Sequence, residues 1–261
     1  MRTKEAAMEW LFVLMPLAAF LYASVGHGGA SSYLMLLTWF GFLPDAIRPG
    51  ALMLNLAVSG IAFLAFRRKT QFPLQLFLWF MAGSVPASYV GAGIRLDAEL
   101  YRILLGILLL FPVLRLFGWL QPRSSKALPV SYPWAICIGA VIGFLSGLIG
   151  IGGGILLSPV LLLLGWADLR QTAAMSALFI FVNSAAGLAG IDANIMELPQ
   201  LFYSLLPLTL LGGMLGAWLG ANRFQAPAMR YALGIVLLIA AAKFLTPAVV
   251  SLQQQLTAFF A

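Results

Sequence analysis

Charge is scarce in this chain of 261 residues: only 9% are Asp, Glu, Lys or Arg, where a soluble domain carries about 25%. There is one cysteine, Cys137, and one histidine, His27. A single cysteine excludes an internal disulfide, a Cys-built metal site and an iron–sulfur cluster. A single histidine excludes a multi-histidine metal centre or a paired haem ligation within one chain. Cys137 lies in an apolar stretch and reads as a small buried hydrophobe. No Walker motif, no nucleophile elbow and no paired acids within the apolar segments are present, so nothing points to ATP hydrolysis or intramembrane proteolysis. The sequence is expected to work without a cofactor and not to be an enzyme.

What is abundant is apolar surface. Hydrophobic residues make up 62% of the chain and mean hydropathy is +0.99. A soluble domain of this size must cover its surface with polar atoms, and this composition cannot. The net charge of +7 would suit a nucleic-acid partner in a soluble protein, but here the basic residues cluster in short loops between apolar runs. That pattern belongs to a polytopic protein of the lipid bilayer and excludes a cytosolic enzyme or nucleic-acid binder.

The chain is written twice. G-H-G-G-A-S-S-Y-L-M-L-L at Gly26 recurs as G-I-G-G-G-I-L-L-S-P-V-L at Gly150, and Gly41 recurs as Gly165, both 124 residues on. G-S-V-P-A-S-Y-V-G-A from Gly83 pairs with G-G-M-L-G-A-W-L-G-A from Gly212, and R-I-L-L-G-I-L-L-L from Arg102 with R-Y-A-L-G-I-V-L-L from Arg230. The run 10–25 follows Arg2 and Lys4 in the manner of a signal peptide, but its counterpart in the second half makes it a building block of the fold. Each half holds five apolar segments, expected at 8–25, 30–43, 50–66, 72–92 and 99–118, then 134–149, 154–166, 173–190, 199–221 and 228–246. The corresponding units are a first repeat at 1–118, a linker at 119–133, a second repeat at 134–247 and a tail at 248–261. Most segments approach the roughly 20 residues of helix that cross a bilayer. The second of each half does not. A short, glycine-opened segment at matching places in two halves points to a transporter's binding site.

Basic residues set the expected orientation. With the N-terminus outside, the cytoplasmic loops hold Arg67, Arg68, Lys69, Arg115, Arg123, Lys126, Arg170, Arg223 and Arg230 against Asp168 alone. The outer side holds Arg2, Lys4, Arg48, Arg95, Arg102 and Lys243 against seven acids. Both termini are therefore expected outside. Five is odd, so the halves should face opposite ways, giving an all-α fold of two inverted repeats with a short or broken helix pair in each. Trp10, Trp39, Trp119 and Trp166 fall near segment ends and read as interface anchors. Pro86, Pro112, Pro159 and Pro207 should kink or start helices.

The candidate site follows from the glycines. Gly28 and Gly29, and Gly152, Gly153 and Gly154, permit positive φ and close backbone approach just before a helix. The first helical turn offers free N–H groups and a positive dipole end, which hold an anion without a buried cation. The competing reading is close helix packing through small residues. His27 beside the first cluster could bind an anion or carry a coupling proton, or be a hydrogen-bonded histidine without such a role. Ser32, Asn55, Gln171, Thr172, Ser176 and Asn183 supply further polar groups, with Thr172, Ser176 and Asn183 near one helix face. They bind substrate or join helices. Without gaps Asn183 aligns with Ser59, so the two asparagines are not equivalents.

At G-H-G-G-A-S-S-Y-L, R-P-G-A-L-M-L-N, S-G-L-I-G-I-G-G-G-I-L-L-S-P and R-Q-T-A-A-M-S-A-L-F-I-F-V-N-S the chain resembles the sulfite exporter TauE/SafE family over residues 10–246. The resemblance implies a multi-pass permease of the bacterial inner membrane that exports small anions such as sulfite, sulfonates or other organosulfur acids. His27 and Ala30 stand where the second half has Ile151 and Gly154. The expected partners are a small anion, a coupling proton or cation, and the lipid bilayer, with homo-oligomerisation open and nucleic acid excluded. The alternative is a channel or a partner-dependent membrane module without transport of its own.

Overall fold

The computed structural model describes residues 9–116, 129–192, 200–223, 238, 241–242 and 245–246, and these residues contain helix and no strand. Nine helices follow in order among them: α1 Leu11–Ala23, α2 Ala30–Trp39, α3 Pro44–Arg67, α4 Leu74–Ala92, α5 Ala98–Leu116, α6 Tyr132–Ile149, α7 Gly154–Leu164, α8 Leu169–Gly190 and α9 Gln200–Asn222. Of the tenth expected segment, 228–246, only residues 238, 241–242 and 245–246 are described, and Trp119 and the linker up to residue 128 lie outside the described residues.

Helices α3, α6, α8 and α9 are long and apolar enough to cross a membrane. At 23 residues α9 spans about 35 Å. The second segments are shorter than their apolar runs suggested, 10 residues in α2 and 11 in α7, or about 15 and 17 Å. Each ends at a left-handed glycine, Gly41 or Gly165, and the following amide reaches five residues back, Phe42 N–H to Leu37 C=O at 3.1 Å and Trp166 N–H to Leu161 C=O at 3.0 Å. That bond satisfies a C-terminal carbonyl and fixes the end of the helix. Helix α3 starts six residues before its expected position, with Pro44 in the first turn where its missing N–H costs nothing. Helix α8 starts four residues early because Asp168 and Gln171 form a capping box.

Helix pairings come in matched sets. Helix α4 packs along α6 as α9 packs along α1; α4 meets α8 as α9 meets α3; α7 meets α8 as α2 meets α3; α6 meets α8 as α1 meets α3. Helices α3 and α8 pack on each other at the centre. The α4–α6 seam is drawn tight by glycines on both helices: a Cβ at Gly83, Gly139, Gly143 or Gly147 would strike the carbonyls of Ile136, Phe80, Ser84 or Ser88. At the α1–α9 seam Gly212, Gly216 and Gly220 meet the carbonyls of Pro16, Phe20 and Ser24. Small residues are what allow helices to associate where lipid removes the hydrophobic drive. Pro16, Pro86, Pro159 and Pro207 all sit inside helices.

The outer surface is apolar, with Trp134, Val141, Tyr203, Leu215 and Trp218 all strongly exposed. Such a surface is stable only against lipid. Cys137 faces this surface and is exposed, which corrects the expectation of a buried thiol. The chain position could not reveal this, because an all-apolar segment has no polar face to orient it. Trp10 and Trp39 are exposed, while Trp166 is partly buried with its ring 6.2 Å from that of Phe80.

Two sets of loops gather at two places. Gln171 Nε2 donates to the Gln71 carbonyl at 3.2 Å, bringing the segment after Arg67-Arg68-Lys69 to the start of α8. Arg48, the end of α4 and the residues after α8 meet elsewhere, where Arg95 pairs with Asp192 at 3.3 Å.

Candidate functional site

The two helix breaks meet at the α3–α8 contact. Helix α1 ends at Ala23 and the chain re-enters helix at Ala30; α6 ends at Ile149 and the chain re-enters at Gly154. Between them lies Asn55 of α3, fully buried. Its Oδ1 accepts the Ala30 N–H at 3.2 Å, the first amide of α2. Its Nδ2 donates to the Ile151 carbonyl at 3.4 Å and to Ser184 Oγ at 3.2 Å. One amide therefore links the first break, the second break and α8. Polar backbone at this depth in a membrane needs such partners.

A second cluster forms around α7. His27 Nε2 lies 3.0 Å from Ser158 Oγ, which lies 2.7 Å from Ser176 Oγ and donates to the Gly154 carbonyl at 3.1 Å. A hydroxyl has one proton to give. With that proton on the Gly154 carbonyl, Nε2 and the Ser176 hydroxyl both donate to Ser158. His27 then carries its proton on Nε2 and presents Nδ1 as an acceptor. Nδ1 is buried and makes no hydrogen bond, as are Ser32 Oγ, Ser146 Oγ, Thr172 Oγ1 and Asn183 Oδ1. Buried polar atoms are usually paired, so His27 Nδ1 beside Ser158 and Ser176 is a point that a polar guest could complete.

Of the five glycines expected to allow positive φ, Gly29, Gly152 and Gly153 are left-handed, while Gly28 and Gly154 are not. Gly26, Gly29 and Gly41 have φ of +82°, +100° and +87°, and Gly150, Gly153 and Gly165 have +88°, +75° and +67°. Gly152 is also left-handed at +76°, whereas Gly28 is not. The missing Cβ atoms, however, make room for protein. A Cβ on Gly28 would strike Asn55, one on Gly29 would meet Tyr33 Oη at 2.6 Å, and one on Gly153 would meet Phe179 Cε1 at 2.8 Å. Tyr33 in turn donates to the Gly28 carbonyl at 2.8 Å. The glycine clusters thus shape both the backbone path and the packing around Asn55.

The two helix starts differ. The first amide of α2 is taken by Asn55. The residue equivalent to Asn55 at the 124-residue spacing is Phe179, which has no acceptor to offer the start of α7. The N-cap residue of α7 makes no side-chain cap bond, and the helix starts beside His27, Ser158 and Ser176.

Of the residues singled out from sequence, His27, Gly28, Gly29, Asn55, Gly152, Gly153, Gly154 and Ser176 come together. Ser32 lies one turn into α2 and Thr172 one turn before Ser176, both buried. Asn183 joins the α4–α8 contact: its Nδ2 donates to the Phe179 carbonyl at 2.9 Å and its own carbonyl accepts from Ser88 Oγ at 3.0 Å. Gln171 belongs to the capping box, its Oε1 accepting the Asp168 N–H at 3.0 Å. Sequence reasoning passed over Ser158, Ser184 and Tyr33. Ser158 alone had a signal, a serine one turn into a glycine-opened helix.

A family model described as Sulfite exporter TauE/SafE matches residues 11–244. Over 249 residues the chain is 34% identical to "Probable membrane transporter protein y4hK" of Sinorhizobium fredii (strain NBRC 101917 / NGR234), covering 94% of this chain and 100% of that protein. No solved structure matches. With broken, glycine-opened helices, an apolar outer surface and a family match over nearly its full length, the chain belongs to the sulfite exporter TauE/SafE family of membrane transporters.

Proposed function

We propose that the protein is a secondary transporter that exports small oxyanions, such as sulfite, sulfonates or related organosulfur acids, by alternating access between two inverted repeats in the inner membrane. The observation that carries this reading is the meeting of the two helix breaks at Asn55, next to the His27–Ser158–Ser176 chain. The start of α2 at Asn55 and the start of α7 beside His27 bring two positive dipole ends to neutral polar surroundings, which suits an anion and avoids a buried cation. The α7 start, with its uncapped amides, supplies most of the anion contacts, and the imidazole of His27 takes the proton or hydrogen bond that accompanies the anion. The expected partners are that anion, a coupling proton or cation, and lipid.

The matched helix pairings support the repeat. They also refine its register: Gly91 meets the Phe144 carbonyl and Gly216 meets the Phe20 carbonyl, and Phe144 is 124 residues beyond Phe20. Gly91 therefore corresponds to Gly216, one helical turn from the pairing of Gly83 with Gly212. Uptake into proteoliposomes tests the function. Saturable flux of one sulfur oxyanion or sulfonate that responds to an ion gradient supports transport, whereas flux proportional to concentration without saturation favours the channel reading.

Two outcomes are expected within this frame. His27→Ala should lower flux at least tenfold while folded protein in the membrane stays near the wild-type level, since the change removes one long-range side-chain bond of about 1 kcal/mol. Wild-type flux with wild-type pH dependence in that variant would assign His27 a packing role. Cysteines placed at 67–71 and 121–131 in a Cys137→Ser background should resist an impermeant thiol reagent applied outside, while those at 191–197 should react. Outside labelling at Ser124→Cys would reverse the orientation.

A further inference from the structure

The end of α3, the start of α8 and the end of α9 meet in a small apolar cluster of their own, in which Phe66 packs with Ala173, Ala174 and Ala221. The bond from Gln171 Nε2 to the Gln71 carbonyl, at 3.2 Å, ties the segment after α3 to the same place. The contact joins the two halves of the chain, since α3 belongs to the first and α8 and α9 to the second. Five cations surround it: Arg67, Arg68 and Lys69 directly after Phe66, Arg170 three residues before Ala173, and Arg223 two residues after Ala221. All of them are exposed.

Among the described residues none of these cations is ion-paired. The Arg67 guanidinium lies over the ring of Phe63, 5.8 Å from its centroid, and Arg68, Lys69, Arg170 and Arg223 are left facing outward. The acid beside them, Asp168, caps α8, its Oδ1 accepting the Arg170 and Gln171 amides at 2.9 and 2.8 Å. Asp192 lies beyond the opposite end of α8, where it pairs with Arg95, and Asp97 and Glu99 follow Arg95 in the chain. Cations after α3 and α9 suit the negative ends of those helices, but Arg170 stands in the first turn of α8, where the dipole disfavours it. Apolar surface runs directly up to the charges. On α9 the exposed residues Leu208, Leu211, Leu215 and Trp218 recur at three- and four-residue spacing, a stripe about 15 Å long that stops one turn before Asn222 and Arg223. On α3, which packs against α9, Leu64 is exposed one turn before Arg68.

We propose that the joined ends of α3, α8 and α9 bind the phosphate headgroup of an anionic phospholipid, with an acyl chain along the α9 stripe, and that this lipid ties the first half of the chain to the second. A soluble anion would answer the cations alone, whereas an amphiphile with an anionic head answers both the cations and the stripe that leads to them. Guanidinium groups hold pairs of phosphate oxygens through charge-assisted hydrogen bonds, and a lysine adds a point charge. Basic residues at the ends of membrane helices are drawn to anionic headgroups in the same way. Arg68 and Lys69 reach the phosphate from the first half and Arg170 and Arg223 from the second. The lipid is therefore bound in either orientation of the chain and whatever solute the protein carries.

The test is a thermal-shift titration of full-length protein in detergent micelles carrying increasing phosphatidylglycerol. The comparisons are phosphatidylcholine with the same acyl chains, and sodium phosphate at equal ionic strength. Phosphatidylglycerol should raise the melting temperature of the wild-type protein, while the other two should not, and high salt should weaken the preference because the cations are exposed. Arg68→Gln and Arg223→Gln should each raise the half-saturating lipid fraction about fivefold, the effect of one cation near an anionic surface, and the double variant about twentyfold. Their melting temperatures without added lipid should match the wild type, since neither side chain is ion-paired among the described residues. Arg102→Gln, on α5, which packs on α6 and α7, should leave the titration unchanged. Equal stabilisation by the two lipids would reduce the basic cluster to a topology signal and overturn the proposal. So would a shift that sodium phosphate reproduces, that high salt leaves intact, that survives in the double variant, or that Arg102→Gln weakens as much as Arg68→Gln does. The wild-type comparisons of lipid, phosphate and salt decide the matter even where a variant fails to fold.

Discussion

Asn55→Ala is expected to remove transport altogether and to lower stability by about 2–4 kcal/mol. The estimate comes from three bonds lost at one position. Interhelical hydrogen bonds in membranes average about 0.6 kcal/mol, which gives about 2 kcal/mol for three. The upper end applies because the Ala30 amide and the Ile151 carbonyl would be left in a dry interior, where an unpaired group costs about 1–3 kcal/mol. Ser184→Ala removes one of the three bonds and leaves both breaks held, so it should cost under about 1 kcal/mol. Asn55→Asp keeps an acceptor for Ala30 but loses the donor and places a charge at mid-helix, for which about 3 kcal/mol is expected. The order Ser184→Ala, then Asn55→Ala and Asn55→Asp, in midpoint temperature of the purified protein, is the measurement. Wild-type flux and stability in Asn55→Ala would mean that the two breaks hold their shape without this link.

That link was only half visible in the sequence. Asn55 stood out as a polar group inside an apolar run, but its partners are 25, 96 and 129 residues away and nothing local specifies them. The breaks themselves were legible because left-handed backbone leaves a glycine in the chain, and because helix length is a one-dimensional property. The recurrence of the turns was legible for the same reason: Gly26, Gly29 and Gly41 are left-handed, as are Gly150, Gly153 and Gly165. Ser158 had a local signal, a serine one turn into a glycine-opened helix, but its place in the site depends on α7 packing beside His27. Arg48 read as a loop charge in R-P-G, a sequence that usually marks a turn. Helix α3 instead begins at Pro44 and carries Arg48 into a cluster of carbonyls that only tertiary structure assembles. Gln171 was grouped with Thr172 by adjacency, although D-x-x-Q ahead of an apolar helix is a capping signal in its own right. Patterns set by the backbone survive in the sequence, whereas contacts between the two halves do not.

Gly153→Ala separates the two ways in which a glycine can be required. Its φ of +75° places an alanine in the left-handed region, at a cost of about 1–2 kcal/mol. Its Cβ would also lie 2.8 Å from Phe179 Cε1 and 3.0 Å from Ile142 Cγ2, an overpacking that adds about 1–3 kcal/mol. The sum, about 2–5 kcal/mol, is a large expected loss for a single methyl group. Gly41 is the control, because its φ is +87° and a Cβ there meets nothing within 4 Å. Gly41→Ala should therefore show the backbone cost alone, about 1–2 kcal/mol. The difference between the two variants isolates the packing contribution. Adding Phe179→Leu to Gly153→Ala should recover part of that difference and none of the backbone cost, so the pair will be non-additive. Substrate affinity, measured on the same purified variants, then decides what the glycine is for. If affinity falls in Gly153→Ala and stays low in the double variant after stability has partly returned, the left-handed backbone aims the α7 amides at the anion. If affinity returns with stability, the glycine serves the fit of Phe179 against the break, and the anion is held by side chains.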